Sequence, residues 1–157
     1  MNTIEELINQ YEAGPEILAD SIVGLTPQQM QLHPIEGKWS VSEVVCHLAD
    51  FEIIYADRMK RVLAEENPTL FGADPDLFER RLHYGNRSVV DEMAIIAGIR
   101  KHITVLLRCV DVEDFQRTGV HTEVGPLTLE TLLEQITAHI PHHVEFVAAK
   151  RRVLGAS

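Results

Sequence analysis

Apolar residues recur at helical spacing in four stretches of the chain. Over residues 3–23, Ile4, Leu7, Ile8, Tyr11, Leu18 and Ile22 fall on one stripe, the pattern of an amphipathic helix. Thr3 and Glu6 make a capping box there, and Gly24 supplies a C-cap. Gly14-Pro15 interrupts this stripe. A proline removes a hydrogen bond and crowds the preceding turn, so a kink or two shorter helices is expected. The second stretch, 40–65, opens on Ser40 and Glu43, another capping box. Its inner stripe is Val44, His47, Leu48, Phe51, Ile54, Tyr55, Arg58, Met59 and Val62. The third, 88–109, starts at Ser88 and lines up Met93, Ile96, Ile99, Ile103, Leu106 and Leu107, with no titratable group clearly inside. His102 falls between stripe positions and reads as a surface residue. The fourth, 128–152, starts at Thr128 and packs Leu129, Leu132, Leu133, Ile136, Ile140, Val144 and Val147.

The segments between are long. Thr26-Pro27-Gln28-Gln29-Met30 suits a single helical turn, and Trp39 reads as core packing because of its large apolar area. Between 66 and 87, a short helix over 76–82 is expected, with Asp74 as cap and Pro75 at the first position. Gly119 to Pro126 reads as a short extended turn. His121 within it is a candidate for the rim of a pocket, but a plain exposed side chain is the expectation, since loops lie at the surface. With no convincing β pattern, the fold expected is all-α: one four-helix-bundle domain over residues 1–157 with long crossover connections.

Composition narrows the function classes. The chain has 157 residues, 45% hydrophobic and 24% charged, with 14 basic and 24 acidic residues and a formal net charge of −10. Such a length can bury a core without staples. The negative balance argues against nucleic acid, whose binding draws on clustered Lys and Arg. The dense basic spots, Arg80-Arg81 and Lys150-Arg151-Arg152, read as solvated helix ends. No apolar run is long enough for a membrane span and the acidic opening is unlike a signal peptide, so a cytoplasmic location is expected. Cys46 and Cys109 show no paired spacing, and Cys46 reads as small buried filler.

The chemistry is concentrated in histidine. Residues four apart on a helix are rotated by about 400°, so they nearly eclipse. His139 and His143, in His139-Ile-Pro-His-His143, therefore point the same way if the helix continues through Pro141. A helix restarting at Pro141 would lose that shared face. The apolar stripe keeps its phase across the proline, which favours continuation. His142 is a rival partner for His139 at three residues, but four gives the closer angular match. His47 lies on the apolar face of its own helix and could meet the pair. Three imidazoles plus an open position is the usual catalytic arrangement for a divalent transition metal. Asp50, Gln135 and Arg58 share helical faces with these histidines. Asp50 or Gln135 could orient a ligand imidazole, and Arg58 could balance a substrate carboxylate, although a salt bridge to a surface acid is its plainer role.

Three motifs carry a family resemblance. They are Tyr11-Glu-Ala-Gly-Pro-Glu-Ile-Leu18, the run Trp39-Ser-Val-Ser-Glu-Val-Val-Cys-His-Leu-Ala-Asp-Phe-Glu52, and the run from Gly125-Pro-Leu-Thr-Leu to His139-Ile-Pro-His-His143. In order and spacing they resemble the DinB-like (YfiT-like) four-helix-bundle superfamily of metalloproteins over nearly the whole chain. The resemblance implies a metal triad at His47, His139 and His143, zinc or nickel as the ion, a pocket above it, and frequent homodimers. Some relatives are thiol transferases that use bacillithiol, mycothiol or glutathione; no basic motif here matches a thiol cofactor.

The expected function is thus a divalent-metal-dependent enzyme activating water or a small thiol, hydrolase-like or thiol S-transferase-like. The alternative is a non-catalytic, dimeric metal-binding module of stress response. A plain helical interaction protein is a third reading.

Overall fold

The computed structural model describes residues 3–156. Met1 and Asn2, part of the acidic opening read above, and Ser157 lie outside them. Four long helices form the bundle: α1 (Ile4–Ile22), α3 (Val41–Ala64), α5 (Val89–Leu107) and α6 (Leu129–Leu154). Two short helices, α2 (Pro27–Gln31) and α4 (Pro75–Arg81), punctuate the connections. Capping boxes open α1 at Thr3/Glu6 and α3 at Ser40/Glu43, and Asp74 caps α4 by accepting from the Asp76 and Leu77 N–H groups. Each satisfies backbone donors that a helix start leaves unpaired. α1 and α3 each pack against both α5 and α6 and so sit diagonally across the bundle.

The crossovers also carry a small sheet that the hydrophobic pattern did not reveal. β1 (Thr69–Leu70) runs parallel to β2 (Thr118–His121), which pairs antiparallel with β3 (Gly125–Thr128). Thr69 faces Val120, and His121 faces Gly125. Strands this short hold too few residues for an alternating pattern to stand out. Gly119 leaves room there for Leu70 and Val62, since a Cβ on it would come within 2.9 Å of the Leu70 side chain. The pairing buries His121, which was expected to be exposed; its Nδ1 accepts from the Glu123 N–H at 3.2 Å.

Neither proline in the bundle breaks its helix. α1 is continuous through Gly14-Pro15, and α6 through Pro141. The cause at Pro15 is a residue that the stripe on α5 did not flag. Pro15 has no N–H for the carbonyl of Tyr11, and Arg100 Nη1 donates to that carbonyl instead, at 2.7 Å. Arg100 Nη2 also donates to the carbonyl of Ile136 at 2.8 Å, in the turn before Pro141. Gly14 is small for the same reason: a Cβ there would lie 2.0 Å from Arg100 Nη1.

Arg100 is 1% exposed and pairs with Glu52, which is 0% exposed. Tyr11 donates its hydroxyl to the other Glu52 oxygen at 3.2 Å, and its ring lies 4.4 Å from the guanidinium carbon. Burial pushes the Glu52 carboxyl upward, and Arg100 and the Tyr11 hydroxyl oppose that shift. This polar layer separates two apolar clusters. One holds Ile8, Met59, Ile103, Leu107 and Leu132; the other holds Leu18, Val44, Leu48, Ile96 and Ile140.

Removing one partner of a buried ion pair leaves an uncompensated charge. Glu52→Leu should therefore lower the unfolding free energy by about 3–5 kcal/mol. The Glu52→Leu/Arg100→Met double variant should cost clearly less than the sum of the two single changes. Gly14→Ala should destabilise by about 1–3 kcal/mol through overpacking against the guanidinium. Urea denaturation of the wild type and the four variants measures all of this.

Candidate metal centre

Histidines border the second cluster, where Trp39 packs beside His47. His47 projects from the N-terminal half of α3, where every residue from Val41 to Asp50 is buried. His139 and His143 project from α6, one turn apart, because the helix runs on through Pro141. The ring centroids stand 4.9 Å apart for His47–His139 and 4.7 Å for both His47–His143 and His139–His143. The Nε2 atoms of His47 and His139 are 3.0 Å apart, and one nitrogen from each of the three rings lies within 4.8 Å of the others. A tetrahedral ion with nitrogens at about 2.0–2.1 Å places those nitrogens about 3.3 Å apart.

Their protonation suits the same chemistry. Burial lowers His47 to about 4, with Asp50 opposing. Burial, then His143 and His47, lowers His139 to about 2. Burial, then His47, lowers His143 to about 3. At neutral pH all three rings are uncharged, which is the state that offers a lone pair to a cation. The three Nδ1 atoms are buried without a hydrogen-bond partner. A donor set of this kind fits a divalent transition ion.

Aromatic rings wall the trio. Phe51 stacks 4.5 Å from His47, and Trp39 lies 5.0 Å from it. Trp39 is therefore a wall of the site and not simple core filler. On the His143 side a cavity of about 350 Å³ opens, lined by Ile35, Trp39, Val44, Phe146, Lys38 and Lys150 among others. A larger cavity of about 600 Å³ lies between α1 and α6 and holds no histidine.

The polar neighbours expected from helical spacing do not reach the rings. Asp50 is claimed by Arg87, whose Nη1 and Nη2 donate to its two oxygens at 3.0 and 2.8 Å. Arg87 also pairs with Glu92. Asp50 thus acts on His47 through its charge and does not hold it. Gln135 is exposed, and its Oε1 accepts from the Tyr55 hydroxyl at 3.1 Å. Arg58 is buried and makes no salt bridge among the described residues. It donates to the carbonyl of Phe71, lies over the Tyr55 ring, and lines a separate cavity of about 370 Å³. His142 is exposed and lies outside the trio, with its ring 5.3 Å from that of His143. Cys46 is buried, donates to the Tyr84 carbonyl at 3.5 Å, and has its thiol pushed up to about 12 by burial, so it is no nucleophile. Arg87 escaped the sequence reading, and Lys150, read there as part of a solvated helix end, is in fact buried where the helix packs beside the cavity. Only the seven-residue step from His143 to Lys150 could have signalled the latter.

Residues 10–147 match the model of the DinB superfamily. The chain belongs to the DinB superfamily. A relative in Oceanobacillus iheyensis, named "Putative metal-dependent hydrolase OB0782", is 27% identical over 93% of this chain and 84% of its own. YfiT of Bacillus subtilis is 26% identical, covering 98% of this chain and 86% of its own. The solved structure of YfiT is described as "a probable metal-dependent hydrolase with an unusual four-helix bundle topology". It superposes with a TM-score of 0.91 over 98% of this chain and 89% of that one. A mycothiol-dependent maleylpyruvate isomerase shares the fold, with a TM-score of 0.73 at 14% identity, covering 92% of this chain and 60% of that one. Among the described residues no helix is long and apolar enough to cross a membrane.

The lowered histidines set the acid response of the metal-stripped DinB protein. Each folded value lies below the ordinary 6.5, so the unfolded chain binds more protons as pH falls. Their contribution to stability is complete above about pH 6.5 and is lost progressively toward pH 4 and below. Urea midpoints at pH 7.5, 6 and 5 should decline in the wild type. They should decline less steeply when His47, His139 and His143 are all replaced by Gln.

Proposed function

We propose that His47, His139 and His143 hold a divalent transition ion, zinc or nickel, and that the protein is a metal-dependent hydrolase. The observation that carries this reading is the convergence of three uncharged imidazoles, one buried and two half-buried, at the edge of an open cavity. Three histidines form the group, with no fourth His, Cys, Asp or Glu among the described residues. Closed structural zinc sites use four protein ligands, whereas catalytic sites keep a position free. The names of the DinB relatives point the same way.

When bound, such an ion supplies Lewis acidity, polarising a carbonyl and lowering the pKa of a coordinated water or thiol toward neutrality. The chain's own residues prepare for that. Burial keeps the three rings neutral at pH 7, so their lone pairs are available. Phe51 and Trp39 limit the rotation of His47 and keep water from its flank. Arg87 holds Asp50 away from the rings, so no carboxylate competes for the open position. Val44 and Phe146 offer an apolar wall to the part of the substrate that does not react. The basic residues beside the trio are few, and no motif for a thiol cofactor is present, which places hydrolysis ahead of thiol transfer.

Purified protein should bind one zinc or nickel per chain by elemental analysis. His47→Ala should weaken binding by at least about 100-fold, since loss of an outer partner alone typically weakens a site about 10–100-fold. The loaded wild type should hydrolyse 4-nitrophenyl esters faster than His47→Ala does. Parallel assay of glutathione with 1-chloro-2,4-dinitrobenzene tests the thiol alternative. Absence of stoichiometric metal sinks the proposal. Metal binding without turnover of either probe would leave the non-catalytic module.

A further inference from the structure

Lys150 is 3% exposed, yet among the described residues no carboxylate forms an ion pair with it. Its one hydrogen bond is long, 3.5 Å to the carbonyl of Phe146, and its Nζ lies 5.9 Å from the centre of the Phe146 ring. The ion pairs found among the described residues all omit it. A buried ammonium without a counter-ion is costly, and this chain, with a net charge of −10, has acids in plenty to supply one. Burial lowers the Lys150 ammonium below its ordinary range, Lys38 adds to that, and Glu43 opposes it. Glu43 is already engaged by the Ser40 N–H at 2.7 Å and by His33 Nε2 at 2.8 Å.

Lys150 and His143 line the same cavity of about 350 Å³. Seven residues along a helix bring a side chain back to nearly the same line, about 10.5 Å further along the axis. Between them the wall is apolar: Ile35, Trp39, Val44 and Phe146. Lys38 and Asp76 also line this cavity, but both are exposed and of opposite sign. The buried charge of the cavity is thus a single ammonium. A lone lysine acts as a point charge, suited to a singly charged head, where a phosphate site would use an arginine fork or several cations.

We propose that this cavity binds a small, largely apolar carboxylic acid, with Lys150 as the counter-ion of its carboxylate and its far end directed at the histidine trio. The inference takes the trio as the reacting end, as proposed above, and names the class of substrate. Lys150 is a specificity-determining residue in this arrangement.

Trp39 is the only tryptophan of the chain and lines the cavity, so its fluorescence reports occupancy. Hexanoate and its neutral match, hexanamide, are titrated into metal-free protein. Wild type should bind hexanoate at least tenfold more tightly, and Lys150→Gln should bind the two alike. Equal binding of both by the wild type overturns the proposal, as does a carboxylate preference that survives in Lys150→Gln. Should that variant not fold, acetic anhydride labelling of the wild type, read by mass spectrometry, serves instead. Hexanoate should slow acetylation of Lys150 at least tenfold and hexanamide should not; equal rates overturn the proposal. Because no metal is present, a failed zinc titration beside an intact carboxylate preference rejects the metal reading alone. The reverse outcome rejects this inference alone.

Discussion

One buried cation holds the four long helices in register. Arg100 reaches from α5 to the Glu52 carboxylate on α3, the Tyr11 carbonyl on α1 and the Ile136 carbonyl on α6. Directional bonds from a planar guanidinium fix relative heights in a way that apolar contacts do not. They also supply a donor where a proline in α1 has none. The bundle tolerates Pro15 because a neighbouring helix restores the missing partner, and Gly14 leaves the room for it. An apolar pair of similar volume could be as stable. It would not bind those two carbonyls.

That registration matters for the histidine trio. His139 is three residues beyond Ile136, and His47 is five residues before Glu52, so both histidine-bearing segments are tied to the same polar layer. A slide of α6 by one residue against α3 would move its side chains by about 1.5 Å along the axis and turn them by about 100°. The ring nitrogens would then no longer converge. The aromatic walls and the burial that keeps the rings neutral follow from the same packing. In a DinB bundle of this kind, stability and site geometry rest on shared contacts.

Around the trio, charge is sorted by partner. Arg87 takes Asp50 and Glu92, and Arg100 takes Glu52, leaving the histidines without a carboxylate in contact. Among the described residues Lys150, like Arg58, is a buried basic residue without an acid, and it is the one that lines this cavity. Its position two turns from His143 gives the cavity a cationic end and a histidine end, with apolar residues also lining it.

The sequence by itself determined the four long helices, their caps and the short turn at Pro75, because these depend on local spacing and on backbone groups a few residues away. It also indicated which histidines share a face, since a period of 3.6 residues is a local property. Only the tertiary structure decided what those faces meet. Arg100 and Glu52 looked like ordinary polar positions until packing buried them together. Asp50 and Arg58 stood on the right helix, but partners remote in sequence, Arg87 and the Phe71 carbonyl, drew them away from the rings. His121 became buried, and the strands themselves formed, through pairing of segments some fifty residues apart. Periodicity records which way a side chain points; burial, pairing and charge balance depend on neighbours that only the fold brings close.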